Sequence, residues 1–125
     1  MLILEPQIKL NLFSQDPVDN LDLSNPFFTS HLITYIGNKR RLLPFLYKGF
    51  SKIRAKTGKA KLVVLDGFVG SGATARLLKA FASELHVNDL EDYSETLNKA
   101  YLTNRSEINI KRLEEYINWL NGHKL

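Results

Sequence analysis

The chain contains no cysteine, which excludes disulfides, thiolate-bound zinc and a cysteine nucleophile, and is compatible with a reducing compartment. No apolar run approaches the ~20 residues that a membrane-spanning helix needs. The opening Met1-Leu2-Ile3-Leu4-Glu5-Pro6 lacks the basic region and cleavage site of a secretory leader, so a cytoplasmic protein with no membrane partner is expected. The histidines His31, His86 and His123 are scattered without His-x-x-x-His spacing, and with no cysteine to join them no metal site is expected. Internal repeats and low-complexity tracts are absent as well.

What is present fits one folded unit. A chain of 125 residues, 44% hydrophobic and 24% charged, is neither disordered in composition nor too small to form a core. At that length about two-thirds of the unfolded surface is buried on folding. It is nevertheless short for an enzyme that must hold both a cofactor and a large substrate.

The formal charge of +4 conceals an uneven distribution. Residues 1–30 carry Lys9 against Glu5, Asp16, Asp19 and Asp22. Residues 31–65 carry Lys39, Arg40, Arg41, Lys48, Lys52, Arg54, Lys56, Lys59 and Lys61 with no acid, a local charge of +9. Such a block suits a polyanion or phosphate partner, since each contact releases condensed counterions, but it equally describes a solvated helix face.

Three of the four prolines fall in residues 1–30, where Asp16-Pro17 and Asn25-Pro26 interrupt any long element, so this part reads as an irregular arm with a possible short strand at Ile8, Leu10 and Leu12. From Lys39 to Lys56, Leu42, Leu43, Leu46, Phe50 and Ile53 recur at helical spacing, with Pro44 near the start and Thr57-Gly58-Lys59 as the stop. Leu62-Val63-Val64-Leu65 is a continuous apolar run entering a glycine-rich turn, the pattern of a parallel strand buried on both faces. A helix over 73–83, a short strand at Leu85-His86-Val87, a helix over 92–103 and a last helix with Ile110, Leu113, Ile117 and Leu120 on one stripe complete the pattern. Strand, helix, strand, helix predicts an α/β fold.

The turn Asp66-Gly67-Phe68-Val69-Gly70-Ser71-Gly72 carries the chemistry. In doubly wound folds a ligand sits beyond the C-terminal ends of the strands, where glycines allow the backbone to approach it. The turn is not a phosphate-binding P-loop, because no Gly-Lys-Ser/Thr ending follows, and Ala75 stands where the dinucleotide fingerprint ends in glycine. Asp89 lies 17 residues beyond Gly72, at the end of the next strand, where a carboxylate can accept ribose hydroxyls or cap the following helix. In Tyr35-Ile36-Gly37-Asn38-Lys39, Gly37 permits a tight turn, Asn38 can cap a helix and Lys39 can reach a carboxylate or phosphate.

Taken in order, Tyr35 to Arg40, Leu65 to Gly72 and Val87-Asn88-Asp89-Leu90 resemble the opening motifs of S-adenosylmethionine-dependent N6-adenine DNA methyltransferases of the phage and bacterial DNA adenine methylase type. The resemblance covers residues 31–105 and implies a partial Rossmann-like methyltransferase fold, with residues 31–125 forming the N-terminal part of the cofactor-binding domain. It implies S-adenosylmethionine as cofactor, duplex DNA as partner and a place in DNA methylation of the restriction-modification kind. Carried over by position, Tyr35, Gly37 and Lys39 meet the cofactor. Asp66, Phe68, Gly70, Ser71 and Gly72 line its pocket, and Asp89 takes the ribose.

Two departures from the family pattern stand out. Gly67 replaces the usual proline of the loop. More important, no Asp-Pro-Pro-Tyr or Asn-Pro-Pro-Tyr/Phe catalytic motif occurs in the sequence, and the nearest string, Asn25-Pro26-Phe27-Phe28, lacks the second proline. The resemblance therefore implies a cofactor-binding fragment or split subunit, inactive alone, whose catalytic motif and DNA target recognition lie in a second chain or a missing C-terminal part. A second reading, of another class, is a non-catalytic nucleic-acid-binding or regulatory module with a degenerate methyltransferase half-fold.

Overall fold

The computed structural model describes residues 18–32 and 39–123. Tyr35, Gly37 and Asn38, the possible strand at residues 8–12 and most of the N-terminal arm lie outside the described residues. Within them, a 3-10 turn at Val18–Asn20 precedes helix α1, Pro26–Thr29. The Asn25 side chain caps α1 by accepting from the Phe27 amide at 2.9 Å, and Phe28 is buried. The string nearest to a catalytic motif is thus a helix cap followed by a core residue.

A 3-10 turn at Lys39–Leu42 leads into α2, Leu43–Thr57. One α-helix was expected from Lys39, but Pro44 has no amide proton to donate, and the regular helix starts at the residue before it. Leu43, Leu46, Tyr47 and Phe50 of α2 face the core, whereas Leu42 and Ile53 of the anticipated stripe are exposed. Gly58 ends α2 in the left-handed conformation, φ +65°.

Strand β1 (Leu62–Asp66), helix α3 (Ala73–Phe81) and strand β2 (Ala82–Val87) form a βαβ unit whose strands pair in parallel, with Leu65 opposite His86 and Asp66 opposite Val87. Helices α4 (Asp92–Leu102) and α5 (Ile110–Gly122) follow. The result is a mixed helix and strand architecture with a small parallel sheet, compatible with part of the fold that the resemblance implies; two strands do not by themselves establish a Rossmann-like sheet.

Helix α3 is the centre of the packing, and its two sides serve two clusters. Ala75 and Leu78 join Val64, Leu85, Val87 and Leu102 against the sheet, while Leu77, Ala80 and Phe81 join Val18, Phe28 and Leu43. Phe50 belongs to both clusters and meets Phe81 edge-on at 5.7 Å. On the other face of the sheet Val63 and Leu65 are 69% and 68% exposed. The expectation of a strand buried on both faces is therefore corrected. The apolar run is that of a doubly covered strand, but α3 covers one side and, among the described residues, nothing covers the other. Leu113, Ile117 and Leu120 of α5 are exposed too, so the stripe does not complete this core.

Two lysines, the exposed Lys61 and the buried Lys79, act as helix caps. Lys61 Nζ donates to the Ala80 carbonyl near the end of α3, and Lys79 Nζ donates to the Leu102 carbonyl at the end of α4, both at 2.6 Å. Burial lowers the pKa of each, for Lys79 to about 8, although Glu107 pulls the latter back up. Below pH 8 Lys79 is protonated in the folded and unfolded states alike, and the desolvation cost is fully present. Between about 8 and its ordinary value the folded chain sheds this proton before the unfolded chain does, so rising pH favours folding. Urea midpoints measured from pH 7 to 10 are expected to rise in the wild type more steeply than in Lys79→Met; parallel curves would contradict this.

Candidate functional site

The loop from Asp66 to Gly72 leaves the C-terminal end of β1, and Asn88-Asp89 leaves that of β2. The two meet because the strands are parallel and in register: the Asn88 amide donates to the Asp66 carbonyl at 2.9 Å and the Val69 amide to the Asn88 carbonyl at 3.0 Å. Above them opens a cleft of about 350 Å³ lined by Lys39, Phe68, Gly70, Ser71, Asp89 and Leu90, with Val69, Ala73, Thr74 and Glu91 completing its wall. Five residues expected from the sequence thus converge on one cavity. Lys39 reaches it from the 3-10 turn before α2, and not from a helix start as anticipated.

Four amides of the glycine loop, those of Phe68, Val69, Gly70 and Gly72, are bonded inside the protein. Phe68 N donates to Asp66 Oδ1 at 3.3 Å, Gly70 N to Asp89 Oδ2 at 2.6 Å and Gly72 N to the Val69 carbonyl at 2.9 Å. A phosphate-cradling loop aims such amides at its ligand. Here the Gly70 amide is instead held by the carboxylate of Asp89, which lines the cleft from the loop after β2. Asp89 is half-buried, and its second oxygen, Oδ1, accepts from the Glu91 amide at 3.1 Å. The residue at the helix boundary of α4 is Glu91, so Asp89 caps the turn ahead of the helix and not the helix itself. Both oxygens retain lone pairs for further donors.

Asp66, the last residue of β1, lies beside the cleft but, against expectation, does not line it. Burial raises its pKa; the Phe68 amide and the Lys39 charge pull it down, and the Asp89 charge pushes it up. Its Oδ2 is buried with no hydrogen-bond partner among the described residues, as is Thr74 Oγ1 in the cleft wall. Each of these oxygens can accept a further hydrogen bond. Phe68 and Leu90, 85% and 86% exposed, offer apolar surface on the cleft wall.

Gly72 does not line the cleft. It is buried with φ +78°, and its Cα faces Asn98. Asn98 Nδ2 and Ser94 Oγ both donate to the Gly70 carbonyl, at 3.1 and 2.8 Å. These two α4 residues hold the loop, and sequence reasoning passed over them, as it did Leu90. Leu90 could have been suspected as an apolar residue just beyond a strand end; Ser94 and Asn98 share a helix face four residues apart but carry no motif. Among the described residues no group of three or more His, Asp and Glu side chains could hold a metal ion.

The model of the D12 class of N6 adenine-specific DNA methyltransferases matches residues 35–124. No curated protein matches the chain, and no solved structure does.

Proposed function

The chain belongs to the D12 class of N6 adenine-specific DNA methyltransferases, and from that premise we propose that its cleft binds S-adenosylmethionine for transfer of a methyl group to the N6 amine of adenine in duplex DNA. The observation that carries the reading is the polarity of the cleft: the Phe68 and Gly70 amides are bonded to carboxylates, with Asp89 on the wall and Asp66 beside it. Such a site suits ribose hydroxyls and a cationic amine and repels a phosphate chain. Asp89 accepts the ribose hydroxyls, and Asp66 takes the ammonium group. Lys39 pairs with the carboxylate of the methionine end, and Phe68 and Leu90 flank the adenine ring. Tyr35 and Gly37 join them on the strength of the resemblance alone, while Ser71 contributes to the wall.

When bound, the cofactor supplies an electrophilic methyl group on a sulfonium. The chain's own residues orient the donor; no Asp/Asn-Pro-Pro-aromatic string is available to hold the flipped base. We place that motif in a second polypeptide or a further part of the protein. Its packing on the sheet face of Val63 and Leu65 would complete a Rossmann-like domain.

Calorimetric titration tests the cofactor assignment. S-adenosylmethionine and S-adenosylhomocysteine are expected to bind, and ATP is expected not to. Tighter binding of ATP would reject it. Addition of a polypeptide carrying Asp-Pro-Pro-Tyr is expected to yield N6-methyladenine in duplex DNA, whereas salt-dependent DNA binding indifferent to cofactor would favour a regulatory module.

A further inference from the structure

Arg76 lies one turn beyond Gly72 on α3 and is fully buried. Its guanidinium donates from one nitrogen to the Phe27 and Ser30 carbonyls, both at 2.8 Å, and stacks 4.3 Å from the centre of the Tyr101 ring. Arg40, the residue after Lys39, donates to the Thr29 carbonyl at 2.8 Å and lies 2.7 Å from His31 Nδ1. Two arginines therefore hold the stretch 27–31, one from the helix that begins at the glycine loop and one from the turn that carries Lys39.

Burying an arginine is expensive, and burial lowers its pKa here. An apolar side chain would serve a core as well or better. What an apolar residue cannot do is bond α3 to the carbonyls of residues 27–30 while its planar head stacks on Tyr101 of α4. We propose that Arg76 is a positioning residue for the cofactor cleft: through residues 27–31 and Arg40 it fixes Lys39 relative to the glycine loop at the head of α3. The proposal rests on the reading of the cleft as a cofactor site.

The test uses Arg76→Met and Arg76→Lys in the full chain, with two readouts. Hydrogen exchange at Thr29 and Ser30, whose amides bond to Asn25 and Pro26, is expected to accelerate in Arg76→Met and less in Arg76→Lys. Affinity for S-adenosylhomocysteine is expected to fall about tenfold in Arg76→Met, the scale of a pairwise coupling, and that loss should vanish when Lys39→Ala is already present. Leu77→Ala, a core truncation on the same helix, should lower the unfolding midpoint and yet add to Lys39→Ala independently. Unchanged exchange, or Arg76→Met losses that add to those of Lys39→Ala, would overturn the positioning role while wild-type binding stands. A wild-type chain that binds no S-adenosylhomocysteine would sink the cofactor reading first, and the proposal with it.

Discussion

Asp89→Asn is expected to weaken S-adenosylhomocysteine binding by about 10- to 100-fold, the loss that accompanies removal of a charged hydrogen bond. The substitution keeps shape and size but not chemistry. Asp89 accepts from the Gly70 amide through Oδ2 and from the Glu91 amide through Oδ1. An asparagine has only one accepting oxygen, so one of the two amides would face an NH2 group and lose its partner. The ribose hydroxyls would also meet an amide where a carboxylate had stood. Ser94→Ala separates these effects, because it removes a bond to the Gly70 carbonyl by changing a residue that does not itself line the cleft. If Asp89 contacts the cofactor, Asp89→Asn should cost far more affinity than Ser94→Ala at a similar drop in thermal midpoint. Equal losses in calorimetry would reduce Asp89 to a loop brace.

The sequence made the site legible at the places where local chemistry and chain order coincide. A run of four apolar residues followed by Asp66 and a turn with three glycines marks a strand and its turn, and Asp89 follows at the distance one helix and one strand require. Parallel pairing then brings both loops to one end of the sheet, which is why Phe68, Gly70, Ser71 and Asp89 share a cleft, and the 3-10 turn before α2 adds Lys39 to it. What was not legible is long-range. Arg76 reads as an ordinary helical base until its contacts with Phe27 and Ser30, nearly 50 residues away, are seen. Val63 and Leu65 read as buried because composition reports what a strand could bury and not what is there to cover it. The role of Gly72 also escaped, since a glycine that approaches a ligand and one that approaches a neighbouring helix look alike in one dimension.

That difference gives the largest stability effect expected in the chain. A Cβ added at Gly72 would lie 2.4 Å from Asn98 Oδ1 and 3.3 Å from its Cγ. Asn98 cannot step aside freely, because it is buried and its amide nitrogen donates to the Ser94 and Gly70 carbonyls. A left-handed alanine costs roughly 1–2 kcal/mol, and forced overpacking typically adds about 1–3. Gly72→Ala should therefore destabilise by about 2–5 kcal/mol, a large share of the roughly 5–15 kcal/mol that holds a domain of this kind together. Gly70, with φ +51° and open space where its Cβ would stand, should lose only the conformational part on the same substitution. Urea unfolding with unchanged slope gives both values, and the midpoint of Gly72→Ala should fall clearly below that of Gly70→Ala. Truncating the obstacle, in Gly72→Ala with Asn98→Ala, should recover the steric share but not the backbone share, at the expense of a bond to the Gly70 carbonyl. Were the two glycine variants equally stable, the contact between Gly72 and Asn98 could not be what holds the loop against α4, and Gly72 would revert to the pocket-lining role that its motif suggests.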